Sequence, residues 1–97
     1  MHGTRLEKHA QMKYKIVFTK QAEKDLHKLA ASPLKDKAFR LLAVLEENPM
    51  QPPFEKLINL GETFSRRINL QHRLVYQIIE EEKTVKILRA WTHYGDN

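Results

Sequence analysis

The hydrophobic period of the chain changes from helical to strand-like near Gly61, and this change limits the folds that the chain can adopt. Before Gly61, apolar residues recur every three or four positions in two stretches, at residues 22–30 and 34–45. Beyond Gly61, three segments alternate between apolar and polar residues: Phe64–Leu70, Arg73–Ile79 and Thr84–Trp91. The pattern predicts two amphipathic helices followed by three strands.

Local signals complete the predicted order of elements. The β-rich run Tyr14–Thr19 predicts a first strand, and its last residue can cap a following helix. Ser32 before Pro33 predicts the start of a second helix, so few residues separate the two helices and they form a hairpin. We therefore predict an α+β fold of order β-α-α-β-β-β, in which the helical hairpin covers one face of a twisted antiparallel sheet.

Size and composition favour one small basic domain. The chain has 97 residues and no apolar run long enough for a membrane helix or a secretory signal, so we expect a cytoplasmic protein without membrane contact. We interpret residues 1–11 as a flexible lead and residues 12–97 as a single domain. The absence of cysteine excludes disulfides and a thiol nucleophile. A net charge of +5 favours a polyanion such as nucleic acid, although a solvated lysine surface explains it equally well.

Three arginines and no acid lie between Thr63 and Ile79. Side chains alternate across a strand, so parity places Arg73 and Arg67 on the face away from the helices and Arg66 on the core face. Arginine recognises phosphate with two parallel hydrogen bonds. The alternative is that these are ordinary edge-strand arginines that oppose aggregation.

The chain carries the groups that metal-independent RNA cleavage requires. A base takes the proton of the 2′-hydroxyl, a cation stabilises the phosphorane-like transition state, and an acid protonates the leaving oxygen. Glu55 in the proline-rich loop, the strand arginines, and His93 with Tyr94 can supply these groups. Each has an ordinary alternative: a solvated carboxylate, a strand-end imidazole and a packing ring. No glycine-rich phosphate loop or cluster of metal ligands is evident, so we expect no cofactor and no metal.

The C-terminal half resembles the YoeB toxins of the RelE/ParE superfamily, which belong to type II toxin–antitoxin systems. The resemblance rests on PPFEKLINL, on FSRRINLQHRLVYQI and on the terminal HY, and SRRI-x₃-HRLVY is its most specific part. It implies the RelE-like microbial RNase fold and a ribosome-dependent endoribonuclease, or mRNA interferase, that needs no metal and inhibits translation. It further implies that Glu55 is the general base and that Arg73 stabilises the charge on the phosphate. His93 is implied to be the general acid, with Tyr94 as its companion. Arg67 and Arg66 are implied to bind the substrate.

The resemblance also implies partners: a YefM-like antitoxin, the ribosome and mRNA, with DNA contacted only through the antitoxin. Three departures from the family pattern stand out, and the first is Trp91, where a more polar residue is expected, so that this ring either belongs to the core or stacks on a base. The stretch from Glu55 to Ser65 is one residue shorter than expected, and Gly95-Asp96-Asn97 follow the tyrosine at which relatives often stop. Because the superfamily includes gyrase-directed members, a non-catalytic module that acts by binding protein is the alternative.

Overall fold

The computed structural model describes residues 13–57 and 62–92 of the chain. The predicted lead, residues 1–11, and the pair His93 and Tyr94 lie outside the described residues. Seven helices and strands and one short 3₁₀ turn follow one another in this part of the chain: β1 Lys15–Phe18, α1 Lys20–Ala30, α2 Lys35–Glu47, β2 Glu55–Lys56, β3 Thr63–Arg67, β4 Arg73–Ile79, the turn Glu80–Glu82, and β5 Thr84–Thr92.

The strands form one five-stranded sheet of order β1-β5-β4-β3-β2. The predicted α+β class and the antiparallel meander of the last three strands are confirmed, because β3 pairs with β4 and β4 with β5 in antiparallel register. The sheet differs from the predicted one in two respects. It is mixed, since β1 runs parallel to β5, and it gains the two-residue strand β2 at the opposite edge.

The helix ends follow the polar residues of the sequence in part. Thr19 caps α1 as predicted, because its hydroxyl accepts a hydrogen bond from the Ala22 amide at 3.0 Å. The predicted start of α2, with Pro33 as its first residue, is two residues too early, since the helix begins at Lys35. The Ser32 hydroxyl instead accepts from the Leu34 amide at 3.1 Å and closes the turn between the helices.

The core lies between the helices and one face of the sheet. Leu74, Tyr76 and Ile78 of β4 are buried on this face, whereas Arg73 on the same strand points to the other face and keeps a small exposed fraction. Residues from both helices and from β3 and β5 pack together around them: Ala22, Leu29, Ala38, Leu45, Phe64, Val85, Ile87 and Ala90. No helix of the described residues is long and apolar enough to cross a membrane.

Candidate active site

Glu55 is brought to the sheet by the short strand β2. The sequence placed it in a loop, but its backbone pairs with Ser65 of β3, and Lys56 pairs with Phe64. The two-residue ladder is too short to show a hydrophobic period, so the loop assignment was wrong in this detail. The pairing fixes the Glu55 side chain on the same face as Ser65.

Arg73 is held by the two residues that this ladder aligns. Its Nη1 lies 2.7 Å from the Oε1 of Glu55 and donates a second hydrogen bond to the Ser65 hydroxyl at 3.0 Å. The Arg73 side chain is 12% exposed, whereas that of Glu55 is 56% exposed. The guanidinium is thus anchored, and the carboxylate remains open to solvent.

Arg67 lies directly opposite Arg73 in the register of β3 and β4. It is exposed, whereas its neighbour Arg66 is buried. The parity argument is therefore confirmed: Arg67 and Arg73 share the face away from the helices, and Arg66 points to the core side.

Arg66 is enclosed by aromatic rings and oxygen atoms. Its Nε donates to the Tyr76 hydroxyl at 3.1 Å and its Nη2 to the Pro49 carbonyl at 3.0 Å, and its Cζ lies 5.8 Å from the centre of the Phe54 ring. Within residues 13–57 and 62–92, no carboxylate forms an ion pair with Arg66. Burial raises the pKa of the Tyr76 hydroxyl, and the positive charge of Arg66 opposes that shift in part. This environment favours a packing role for Arg66.

The three arginines meet at an open cavity of about 290 Å³. Its apolar part comes from α2 and from the segment before β2, and its polar part from β2, β3 and β4. Eight residues line it: Leu41, Pro53, Phe54, Glu55, Ser65, Arg66, Arg67 and Arg73. The combination of apolar walls with cationic groups suits a nucleotide, whose base can pack against apolar side chains while its phosphate meets arginine.

The described end of β5 lies beside Arg73, one of the residues that line the cavity. Thr92, the last described residue of β5, is the register partner of Arg73. Trp91 packs against the core and stacks on His72, with ring centres 4.1 Å apart. Trp91 thus acts as a packing residue here, while His93 and Tyr94 lie outside the described residues.

Two buried polar residues were not predicted as important, one at the cavity and one on α1. Ser65 is fully buried and supports Arg73, and Asp25 of α1 is a fully buried carboxylate. A signal for Asp25 exists in the sequence, because it lies three residues after Ala22 and four before Leu29 and so falls within the apolar stripe of α1. In the part of the chain that the structure describes, no three His, Asp or Glu side chains converge as metal ligands.

Comparison with known proteins places the chain in a family. The protein-family model for the ParE toxin of the type II toxin–antitoxin system parDE matches residues 16–96 of the chain. The YoeB dimer from Staphylococcus aureus is 32% identical over 84% of this chain and 99% of that chain, with a TM-score of 0.73. The toxin–antitoxin complex RelBE2 from Mycobacterium tuberculosis contains a chain that is 35% identical over 84% of this chain and 99% of that one, with a TM-score of 0.63.

A third structure, the YoeB/ParE toxin from Agrobacterium tumefaciens, shows the fold alone. It has a TM-score of 0.75 at 22% identity, over 82% of this chain and 99% of that chain. Among curated protein sequences, none matches the chain significantly. The predicted resemblance to the RelE/ParE superfamily and the predicted fold are confirmed.

Proposed function

Because the chain belongs to the ParE toxin family of type II toxin–antitoxin systems, we propose that it is the toxin of such a pair and that it acts as a ribosome-dependent mRNA endoribonuclease. The observation that carries the proposal is the arrangement of Glu55, Ser65, Arg73 and Arg67 on one sheet face beside the cavity. A carboxylate and two arginines around a nucleotide-sized cavity are suited to the chemistry of a phosphodiester.

The proposed reaction uses side chains alone and no metal. Glu55 accepts the proton of the 2′-hydroxyl, whose oxygen then attacks the adjacent phosphorus. The bond from phosphorus to the 5′-oxygen breaks, and His93 gives its proton to that oxygen. The products are a 2′,3′-cyclic phosphate and a 5′-hydroxyl, and Tyr94 serves as the companion that positions the acid or the base.

Arg73 stabilises the negative charge that develops on the phosphate oxygens. Its contacts with Glu55 and Ser65 hold it in place before substrate arrives, which reduces the reorganisation that the transition state requires. An incoming phosphate replaces the Glu55 carboxylate as the anion beside Arg73 and leaves that carboxylate available to accept a proton.

The other two arginines have different proposed parts in substrate binding. Arg67 is exposed on the same face as Arg73 and contacts the RNA backbone. Arg66 lines the cavity from its buried position and contributes its positive charge and the orientation of the Phe54 ring.

We further propose that a cognate antitoxin silences this activity. Solved complexes of relatives include YoeB–YefM from Staphylococcus aureus and DinJ–YafQ from E. coli. The exposed arginine face suits an acidic antitoxin segment that folds on binding and covers Arg73 or displaces the residues after Thr92. Direct reading of DNA is left to the antitoxin, and the ribosomal target implies the cytoplasm.

Cleavage of ribosome-bound mRNA tests the proposal. We expect wild-type protein to cut the message only when ribosomes are present, and Glu55→Gln and His93→Ala to lose at least about a hundredfold of that activity. Glu47→Gln is a matched control, because it also removes an exposed carboxylate, one whose only ion pair in the described residues is with Lys13 at 3.4 Å. Expression in bacteria gives a second readout. Equal growth arrest by the wild type, Glu55→Gln and His93→Ala would show that the catalytic roles of Glu55 and His93 are wrong.

The match to the ParE model favours a second candidate, a toxin that acts by binding a protein such as gyrase. It predicts altered DNA supercoiling with translation intact. A supercoiling assay on the same purified protein separates the two candidates, because binding alone does not require Glu55 or His93.

A further inference from the structure

Asp25 is a buried carboxylate that joins α1 to β5. Its side chain is fully buried, and its Oδ2 accepts hydrogen bonds from the Arg89 Nε and from the Ala90 amide, both at 2.9 Å. Gln21 donates a third hydrogen bond to its Oδ1 at 3.1 Å. A buried charge with this many partners is a costly feature in so small a core, and an apolar residue of similar size often supports folding equally well. Its hydrogen bonds to Arg89 and Ala90 of β5 indicate what the charge does.

The pairing of β5 with β4 is irregular at the position that Asp25 contacts. The register is regular from Ile79 to Tyr76, which pairs with Ile87, and it then shifts twice. Val75 pairs with Arg89 and Arg73 with Thr92, so each shift adds one residue to β5. These are two β-bulges, and a bulge leaves backbone groups of the longer strand outside the ladder.

Asp25 and the N-terminus of α1 satisfy backbone groups of the bulged stretch. Asp25 accepts from the Ala90 amide, and the Thr19 hydroxyl donates to the Leu88 carbonyl at 3.1 Å. A helix therefore supports the strand where the ladder is interrupted. Without the two bulges, the regular register would place Ala90 opposite Arg73. Thr92 would then lie two residues further on, about 7 Å beyond Arg73 at the usual rise of a strand.

We propose that Asp25 is a positioning residue for the end of β5. Its bond to the Ala90 amide holds the bulged register and so keeps Thr92 opposite Arg73. The inference rests on the proposed function, in which His93, the residue that follows Thr92 in the sequence, is the general acid. Loss of one bulge alone would also turn the following side chains to the opposite face of the sheet.

The register can be measured directly by NMR on the full chain. Wild-type protein should show cross-strand backbone contacts between Arg73 and Thr92. We expect Asp25→Ala to lose them and to gain contacts between Arg73 and either Ala90 or Trp91. A folded Asp25→Ala protein that keeps the Arg73–Thr92 contacts would overturn the proposal.

Cleavage kinetics provide the second measurement. We expect kcat for ribosome-bound mRNA to fall at least about a hundredfold in Asp25→Ala, with KM within about threefold, because a displacement of even 1 Å can have an effect of this size. Asp25→Asn keeps an oxygen that can accept from the Ala90 amide but loses the charge, so we expect it to weaken the bulged register and to lower kcat by between about threefold and about tenfold. If Asp25→Ala does not fold, Asp25→Asn provides the test. It should speed hydrogen exchange at the Ala90 amide and lower kcat. Faster exchange with an unchanged kcat would overturn the proposal.

Leu29→Ala is the matched control for lost stability. It removes a buried side chain from the same helix face without a hydrogen bond to β5. At equal folded fraction, Leu29→Ala should keep the Arg73–Thr92 contacts and near-normal kcat; a kcat loss equal to that of Asp25→Ala would reduce Asp25 to a structural residue. If the wild-type protein does not cleave mRNA, the proposed function fails, while the NMR register still tests the role of Asp25.

Discussion

Arg67 and Arg73 are direct partners across β3 and β4, so two positive side chains face each other on neighbouring strands. Like charges in this position destabilise an antiparallel pair. Glu55 offsets part of the repulsion through its 2.7 Å contact with Arg73. Under the proposed function, a phosphate bound between the arginines would offset more of this repulsion.

Replacing Arg67 should therefore separate stability from activity. We expect Arg67→Gln to raise the free energy of unfolding by up to about 0.5 kcal/mol, because it removes the cross-strand repulsion. Cleavage should fall at least about tenfold, the equivalent of one charge-assisted hydrogen bond to phosphate. Urea unfolding and mRNA cleavage measure the two effects, and full activity in Arg67→Gln would show that RNA does not contact this residue.

Replacing Glu55 should also affect activity without affecting stability. Its ion pair with Arg73 is largely solvent-exposed on the carboxylate side, and such pairs contribute about 0–1 kcal/mol. Glu55→Gln should unfold at nearly the same urea concentration as the wild type and as Glu47→Gln, yet only Glu55→Gln should lose cleavage. Parallel loss of stability and activity in Glu55→Gln would instead indicate that the carboxylate supports the fold.

Arg66 should behave in the opposite way to its neighbour. Its donors reach Tyr76 and Pro49 in the interior, so Arg66→Gln should destabilise the protein by about 2 kcal/mol or more. Tyr76→Phe leaves the Nε of Arg66 without that acceptor and should cost about 1–3 kcal/mol. Urea denaturation checks both variants. A normally stable Arg66→Gln protein that no longer cleaves RNA would favour direct substrate binding by Arg66.

Alternation explains why the face of each arginine could be predicted from sequence. Arg66 and Arg67 are neighbours on β3 and therefore fall on opposite sides, and the structure confirms it, since Arg66 is buried and Arg67 is exposed. The order of elements was also predictable, since it depends on local period and caps. Glu55 was harder to place, because its position depends on a two-residue pairing with Ser65 that leaves no periodic trace.

Long-range features escaped prediction for related reasons. The parallel pairing of β1 with β5 joins residues about 70 positions apart, and nothing in the Lys15–Phe18 run specifies its partner. The two bulges of β5 depend on contacts with Asp25 and Thr19, which belong to another element. Asp25 itself was overlooked because a helical stripe is found by its apolar members. A charged residue within such a stripe is therefore worth examining.

The acid sensitivity of the fold provides a last test of Asp25. Burial alone raises the pKa of its carboxyl, but the hydrogen bonds from Arg89, the Ala90 amide and Gln21 outweigh burial and lower that pKa below its usual value. A carboxyl whose pKa is lower in the folded protein than in the unfolded chain stabilises the fold fully above the unfolded value, about 4, and loses this effect as pH falls through the folded value. Asp25→Asn should be less stable than the wild type at pH 7 by about 1–2 kcal/mol. The difference between the two proteins should shrink as the pH falls below about 4, where the wild-type carboxyl takes up a proton. Urea unfolding of both proteins at a series of pH values measures this difference. A difference in the free energy of unfolding that stays constant from pH 7 to pH 2 would show that ionisation of Asp25 does not stabilise the fold.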